Sequence, residues 1–211
     1  MDPQAETWRQ IRALVTGSWD EPRRAASSIV ALLPRAGRPE QVADLLRRSR
    51  PDQAIALWLG SELDDGAWGR AERALEDTTW RDEVAARLTE VETVGVASLG
   101  TDTFHVIREL AAANEQVTVV TTKASVALAM HTLDVPVRNG RPWRCDVALV
   151  PTAAAGPGGV WTSNDGGQLL DRSPRPVLLT DPLAVLDPTW AGAYRPPEWL
   201  RLVALQHTRD R

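Results

Sequence analysis

The spacing of apolar residues changes near Val91, and this change is the strongest constraint on the fold of the chain. From Val91 onward, short runs of β-branched and apolar residues alternate with segments of helical periodicity. This alternation is typical of a parallel sheet, because two parallel strands need a crossover segment, usually a helix, between them. We therefore predict an α/β fold with a mostly parallel sheet covered by helices.

The predicted strands are Thr93–Ser98, Val117–Thr121, Val135–Val137, Asp146–Val150, Pro176–Thr180 and Leu200–Leu205, with helices that start at Asp102 and cover Ala124–Leu133. Ligands in such sheets bind at the carboxyl ends of the strands. In this sequence those ends are the loops Leu99–Asp102, Thr121–Lys123 and Pro151–Asp165. The third loop is rich in glycine and small residues, which fits either close backbone approach to a ligand or a flexible connection.

Residues 1–90 have the apolar spacing of helices almost throughout. The predicted helices begin at Pro3, Asp20, Pro39 and Pro51, and two more cover Trp68–Leu75 and Thr79–Leu88. None has a long heptad repeat, which favours a compact helical subdomain over a coiled coil. The predicted domains are accordingly a helical N-terminal subdomain, 1–90, and an α/β domain, 91–211.

Composition excludes several classes of protein. The net charge of -4 and the pI near 5.5 argue against nucleic acid or an acidic membrane as the main partner, since both need a basic face. Cys145 is the one cysteine, so neither an intramolecular disulfide nor a cysteine zinc site is expected. The N-terminal segment does not resemble a secretion signal, and no apolar run approaches about 18 residues. We expect a soluble, cytoplasmic protein.

The segment Thr93–Leu110 reads as a buried strand, a loop that contains a glycine, and a helix. Thr101 or Asp102 can cap that helix, and free backbone N–H groups at its start would face an anion. Lys123 follows the next strand and would project from the same edge, as a phosphate clamp or as an ordinary surface lysine. An ordinary strand-to-helix turn is the alternative for the loop, because one glycine is no phosphate fingerprint.

Metal and nucleophile chemistry have little support. His105, His131 and His207 lie far apart in the sequence, and none has a second ligand at helical spacing. No Gly-x-Ser-x-Gly motif occurs, and Cys145 precedes a strand instead of following one. We predict no metal and no cofactor.

Four segments resemble the α, β and δ subunits of eukaryotic initiation factor 2B and their relatives, methylthioribose-1-phosphate isomerase and ribose-1,5-bisphosphate isomerase. The segments are RPDQAIALW at Arg50–Trp58, VGVASLGTDTFHVI at Val94–Ile107, TTKASVALAMHTLDVPV at Thr121–Val137 and CDVALVPTAAAGPGGVWTSNDGGQLL at Cys145–Leu170. The resemblance implies a helical N-terminal part followed by a Rossmann-like sheet of the ribose-phosphate isomerase and CoA-transferase type. It also implies dimers formed through the Rossmann-like part, for which the nine tryptophans would suit an interface.

This sequence differs from the family at the residues that carry out the isomerase reaction. The isomerases use a cysteine in the first loop and an aspartate in a Gly-Ala-Asp segment to move a proton between C1 and C2 of a phosphorylated sugar. Here these positions fall on Leu99 and Ala153, whose side chains cannot exchange a proton. The family's Asn-Lys pair becomes Ser163-Asn164, and its phosphate-binding Arg-Gly-Ala looks like the segment that starts at Arg24.

We therefore predict a non-catalytic relative that binds a phosphorylated small molecule, either a sugar phosphate or a nucleotide, or a protein partner. It would act as a homodimer or as a hetero-oligomer with a related subunit. The candidate ligand-binding residues are Ser98, Gly100, Thr101, Asp102, Thr103, Lys123, Arg24, Asn164 and Gly166. One alternative is a divergent sugar-phosphate isomerase or lyase that uses Asp102, His105, Lys123 or Asp165. A second alternative is a structural subunit of a larger assembly.

Overall fold

A computed structural model of the chain describes residues 2–16, 22–37, 79–180, 184–186, 191–192, 194–196 and 198–205. Element labels number the described elements only. They are α1 Pro3–Thr16, α2 Pro22–Leu32, a 3-10 helix Leu33–Ala36, α3 Thr79–Ala86, β1 Thr93–Val96, α4 Thr101–Ala113, β2 Thr118–Thr121, α5 Ala124–His131, β3 Val137–Asn139, β4 Val147–Pro151, β5 Ala154–Gly156, β6 Gly159–Ser163, α6 Asn164–Arg172, β7 Pro176–Leu179 and β8 Leu200–Val203. The predicted helices that begin at Pro39 and Pro51 or cover Trp68–Leu75, and also His207, lie outside the described residues.

The chain divides into two compact units, and the first comprises Met1–Asp77, Ala154–Gly158 and Asp181–Pro197. In that unit, α1 packs against α2 and the 3-10 helix. Ile11, Ile29 and Leu33 are fully buried there. Helical periodicity therefore predicted the first two helices correctly, whereas the predicted start of the second at Asp20 lies outside the described residues. The predicted domain division at residue 90 stays a prediction.

The second unit comprises Thr78–Ala153, Gly159–Thr180 and Glu198–Arg211 and contains a five-stranded sheet. Its strand order is β3-β2-β1-β4-β7, and every neighbouring pair is parallel. The predicted fold class is thereby confirmed: the protein is an α/β protein with a Rossmann-like, mostly parallel sheet covered by helices.

Alternation along the strands sends side chains to two separate cores. One face of the sheet presents residues such as Val94, Val119 and Leu149 to a core that also includes Ile107 of α4 and Met130 of α5. The opposite face presents residues such as Ala97, Ala148 and Val150 to Leu169 of α6. The helices α4 and α5 thus cover one face of the sheet and α6 covers the other.

Gly95 lies in the middle of β1, where the backbone of another segment packs so closely that there is no room for a side chain. A Cβ at this position would lie 1.7 Å from the backbone carbonyl oxygen of Pro142. Pro142 belongs to the connection that leads from the carboxyl end of β3 to the amino end of β4. The backbone of this connection therefore packs directly on the central strand, and no other residue type fits without moving it.

The strand order places a topological switch point at the carboxyl end of β1. The chain runs outward from β1 to β2 and β3, and then returns to the other side of β1 for β4 and β7. The connections after β1 and β4 therefore leave in opposite directions, which opens a crevice above the ends of these strands.

Three predictions of secondary structure were wrong in detail. The segment Pro151–Asp165 is not a loop: it contains β5, β6 and the start of α6, because Val160 and Trp161 are buried and β6 pairs antiparallel with β8. The last predicted strand therefore belongs to this second sheet and not to the parallel one. The third strand begins at Val137 and not at Val135, since Pro136 has no N–H to contribute.

Candidate functional site

The N-terminus of α4 opens at the switch point. The helix starts at Thr101 with Gly100 as its N-cap residue, and no side chain caps it. The predicted cap by Thr101 or Asp102 is therefore wrong. Asp102 instead accepts a hydrogen bond of 2.7 Å from Nε of Arg81. The first backbone N–H groups of α4 consequently have no side-chain acceptor at the cap, and the positive end of the helix dipole lies there.

Thr103 adds a second donor to this helix start. It is fully buried, and its Oγ1 has no hydrogen-bond partner among the described residues. This oxygen lies 4.0 Å from the position that a Cβ of Gly100 would occupy, so it faces the uncapped turn. A buried hydroxyl without a partner costs about 1–3 kcal/mol. A ligand oxygen at the turn would remove that cost.

The strand registers show what surrounds the turn. Gly95 pairs with Val120 of β2, and Val96 pairs with Leu149 of β4. Continued along the strands, these registers place Ser98 level with Lys123 on one side and with Pro151 on the other. In agreement, a Cβ on Gly100 would lie 3.7 Å from Cβ of Pro151. The ends of β2 and β4 therefore form the two walls of the crevice.

Lys123 is not the isolated cation that the sequence predicted. Its backbone N–H donates to Oγ1 of Thr121 over 3.1 Å, which fixes the turn after β2. Its Nζ lies 2.7 Å from Oδ2 of Asp165, and the two side chains are 44% and 42% exposed. Sequence reasoning named both residues but did not predict that they form an ion pair, because spacing in the sequence does not reveal a contact across the sheet.

Asp165 is held in the first turn of α6 by a well-defined cap. Oγ of Ser163 accepts a hydrogen bond of 3.1 Å from the N–H of Gly166. A Cβ on Gly166 would lie 2.1 Å from Oγ1 of Thr162, whose hydroxyl in turn donates to the carbonyl of Pro151 over 2.8 Å. The backbone N–H of Gly166 is thus already in use, while Asn164 is exposed beside Asp165.

Leu99 and Ala153, the positions that the resemblance aligns with isomerase catalytic residues, both make structural contacts. Leu99 is half-buried and packs against the hydrophobic core under α4. The backbone N–H of Ala153 donates to the carbonyl of Trp161 over 2.8 Å. Neither side chain carries a group that exchanges a proton.

The other two candidates are His105 and Arg24. His105 is half-buried one turn into α4, where its ring meets the ring of Phe104 edge to face at 6.4 Å. Among the described residues, no hydrogen bond or ion pair joins it to Lys123 or Asp165. Arg24 is exposed on α2 in the first compact unit. A role for Arg24 at the edge of the sheet stays a prediction.

A groove of about 370 Å³ lies beside Lys123 and was not predicted. The residues that line it are Thr121, Thr122, Lys123, Ala124, Ala127, His131, Val137 and Asn139. The stripe of alanines at positions 124 and 127 on α5 is the sequence signal that could have indicated it, because small residues leave room between a helix and the edge strand β3. The groove adds space next to the cation at the carboxyl edge of the sheet.

Other chemistry has little support within the described part of the chain. Burial raises the pKa of the Cys145 thiol, against an opposing effect of Arg138, so the thiol is a poor nucleophile. Residues 2–205, apart from the gaps given above, contain no cluster of three or more potential metal ligands. Of the helices described, none combines the length and apolar character that a membrane span requires.

Comparisons with known proteins find likeness in structure only. No protein-family profile matches the chain, and no curated protein matches it. The structural neighbours include the initiation factor 2B β2δ2 complex from Chaetomium thermophilum, with 13% identity, TM-score 0.39, and coverage of 85% of this chain and 72% of the other. Its β subunit from the same organism matches with 13% identity, TM-score 0.37 and coverages of 84% and 69%.

Ribose 5-phosphate isomerase A from Methanocaldococcus jannaschii is also similar in structure, with 13% identity and TM-score 0.41. The match covers 50% of this chain and 53% of the isomerase, so the chain spans about half the length of that relative. Initiation factor 2B subunits are among the proteins that the sequence resembles, and the ribose-phosphate isomerase sheet is the type of fold that this resemblance implied. The likeness concerns the fold, and function has to be argued from the site itself.

Proposed function

We propose that this protein binds a phosphorylated small molecule, a sugar phosphate or a nucleotide, at the carboxyl edge of its parallel sheet, without isomerase chemistry. The observation that carries the proposal is the uncapped start of α4 together with the buried Oγ1 of Thr103, which has no partner among the described residues. Backbone N–H groups and a hydroxyl that converge on one turn are the donors that phosphate oxygens accept.

Charge supports the same assignment. Lys123 follows the strand next to β1 and supplies a cation at the crevice. Arg81 neutralises Asp102, the one acidic residue in the first turn of α4, and thereby limits repulsion of an incoming anion. The proposed ligand contacts are thus the turn from Ser98 to Thr103 and the ammonium of Lys123. Asn164 and Gly166 would lie at the second wall.

The proposal leaves out isomerase chemistry because of Leu99 and Ala153, the positions that the resemblance aligns with the isomerases' catalytic residues. Proton transfer between two carbons of a sugar needs a group that accepts and returns a proton. A side chain packed in the core and a methyl group do neither. The proposed role is therefore binding, with a signal or an assembly step as its consequence.

A thermal-shift titration tests this proposal, because a ligand that binds only the folded state raises the melting temperature. The compounds are pentose phosphates, pentose bisphosphates and nucleotides. We expect a dose-dependent rise with at least one of them, and a loss of affinity of about tenfold in Lys123→Met, since a charge-assisted contact contributes about 1.5–3 kcal/mol. The matched control is Arg175→Met, which removes an exposed cation just before β7, at the opposite edge of the sheet.

An equal loss of affinity in Arg175→Met and Lys123→Met would show that the effect comes from net charge and would contradict the proposed site. No rise in melting temperature with any compound would contradict ligand binding altogether.

Association with a second subunit is the second candidate, and exposed apolar side chains near β8 favour it. Trp199, Leu202 and Leu205 are 62%, 51% and 46% exposed, respectively. Large exposed apolar residues are enriched at protein interfaces. Sedimentation velocity should show a dimer that weakens in Trp199→Ser, whereas a monomer at every concentration would contradict a homodimer.

A further inference from the structure

We propose that Asp165 is an internal competitor for the ligand: it holds Lys123 while the site is empty, and an anionic ligand must take Lys123 from it. This inference rests on the proposed function, since it concerns the same crevice. It gives Asp165 a role in selecting the ligand. The family resemblance implies no such role, and the isomerase or lyase alternative would use Asp165 in catalysis instead.

The placement of the two residues is the first argument. Lys123 precedes α5, which covers one face of the sheet, and Asp165 lies in α6, which covers the other face. Lys123 follows β2, whereas Asp165 follows β6, which the hydroxyl of Thr162 joins to the carbonyl of Pro151 at the end of β4. The strands β2 and β4 stand on opposite sides of β1. An ion pair of 2.7 Å between them therefore crosses above the carboxyl end of β1, where the anion would enter.

The strength of the pair is the second argument. Both side chains are more than two fifths exposed, and such ion pairs contribute little because water competes for both charges. A ligand can therefore displace Asp165 at small cost. The carboxylate does not leave the crevice, however, because the Ser163 cap fixes the first turn of α6. It then repels the bound anion over a short distance.

Lys123 is the side chain that balances the charge of Asp165. In the described ranges, the ion pair with Lys123 is the one polar side-chain contact that Asp165 makes. Removal of the carboxylate should therefore free the ammonium for the ligand and at the same time remove the repulsion.

The test is isothermal titration calorimetry with inorganic phosphate at pH 8, where phosphate is mostly a dianion. We expect Asp165→Asn to bind phosphate about 3- to 10-fold more tightly than the natural sequence. In this variant Lys123 has no weak ion pair to give up, and no carboxylate repels the bound anion. The matched control is Asp171→Asn, on the same helix, which removes the same charge but breaks only the 3.3 Å pair with Arg201. We expect its affinity to be unchanged. Asp165→Ser is a second variant that keeps a polar residue in the first turn.

A double-mutant cycle with Lys123→Met isolates the competition. The gain from Asp165→Asn should shrink in the Lys123→Met background, because only the repulsion then remains. Phosphate binding that depends on Lys123 but is no tighter in Asp165→Asn and Asp165→Ser would overturn this inference and leave the proposed function standing. An equal gain in Asp171→Asn would also overturn it. Absence of binding in every variant would overturn both.

Discussion

The two edges of the parallel sheet differ in whether all the polar groups singled out there have hydrogen-bond partners. At the amino edge, polar side chains are bonded to the backbone of neighbouring strands. At the carboxyl edge, a helix start has no side-chain cap, a buried hydroxyl has no partner among the described residues, and a half-exposed ion pair bridges two walls. Groups that are already bonded hold the fold, while groups that are not bonded remain for a ligand.

Asp146 illustrates the amino edge. One of its carboxylate oxygens accepts the N–H of Thr93 at 2.8 Å, the hydroxyl of Thr93 at 2.9 Å and the N–H of Glu92 at 3.2 Å. Asn114 acts similarly, since its Nδ2 donates to the carbonyls of Thr89 and Val91, both at 3.0 Å. These contacts tie the start of β1 to β4 and to the end of α4.

The largest expected effect concerns the strand that connects the two edges. Gly95→Ala places a methyl group against the carbonyl of Pro142, so the connection to β4 must move. We expect a loss of about 3 kcal/mol in the free energy of unfolding, measured in urea. The control is Gly140→Ala, whose Cβ meets only Cγ1 of Val120, at 3.1 Å. Similar losses in both variants would show that the crossing does not constrain β1.

Two threonines give the most direct comparison of the edges. Thr93→Val removes a hydroxyl that bonds Asp146, and we expect a loss of about 1 kcal/mol in unfolding free energy. Thr103→Val removes a buried hydroxyl without a partner among the described residues, and we expect a gain of about 1 kcal/mol. Phosphate affinity should fall about tenfold in Thr103→Val and stay unchanged in Thr93→Val. Destabilisation by Thr103→Val would contradict the distinction between the edges.

The pH dependence of stability tests the contribution of Asp146 at the amino edge of the sheet. The hydroxyl of Thr93, and next the backbone N–H groups, lower the pKa of Asp146. Because the pKa is lower in the folded state, the contribution is fully present above the unfolded pKa of about 3.9 and is lost as the pH falls through the folded pKa. The difference in melting temperature between the natural sequence and Asp146→Asn should therefore shrink below about pH 4.

The control for this pH dependence is the same pair of proteins in the Thr93→Val background. There the pH-dependent difference should be smaller, since the largest contribution to the lowered pKa is gone. A difference that is independent of pH would contradict the assignment to the carboxylate.

The smallest expected effect concerns the charge near α4. Arg81→Met leaves the carboxylate of Asp102 without its partner in the first turn, and we expect phosphate affinity to fall about 2- to 5-fold through repulsion. The double variant Arg81→Met/Asp102→Asn should restore the affinity. Failure of the double variant to restore it would indicate that Arg81 acts in another way.

Much of the fold could be predicted because its signals are local. The β-branched runs at Thr93, Val117 and Asp146 predicted strands to within one or two residues, and the proline at position 3 marked the start of α1. The strands around Val160 were missed, since glycine, proline and alanine before them have the composition of a loop. The assignment of Lys123 and Thr103 to ligand binding, and of Asp165 to catalysis in the alternative, stays a prediction.

The sequence by itself determined the class of the protein: strands and helices that alternate after Val91, preceded by helices at the beginning of the chain. Local patterns encode these properties, because periodicity depends only on nearby residues. The tertiary structure alone decided that Lys123 faces Asp165, that Asp102 faces Arg81, and that Thr103 is buried without a partner among the described residues. Such contacts join residues 21 or more positions apart or depend on burial, and both follow from how the helices and strands pack in three dimensions.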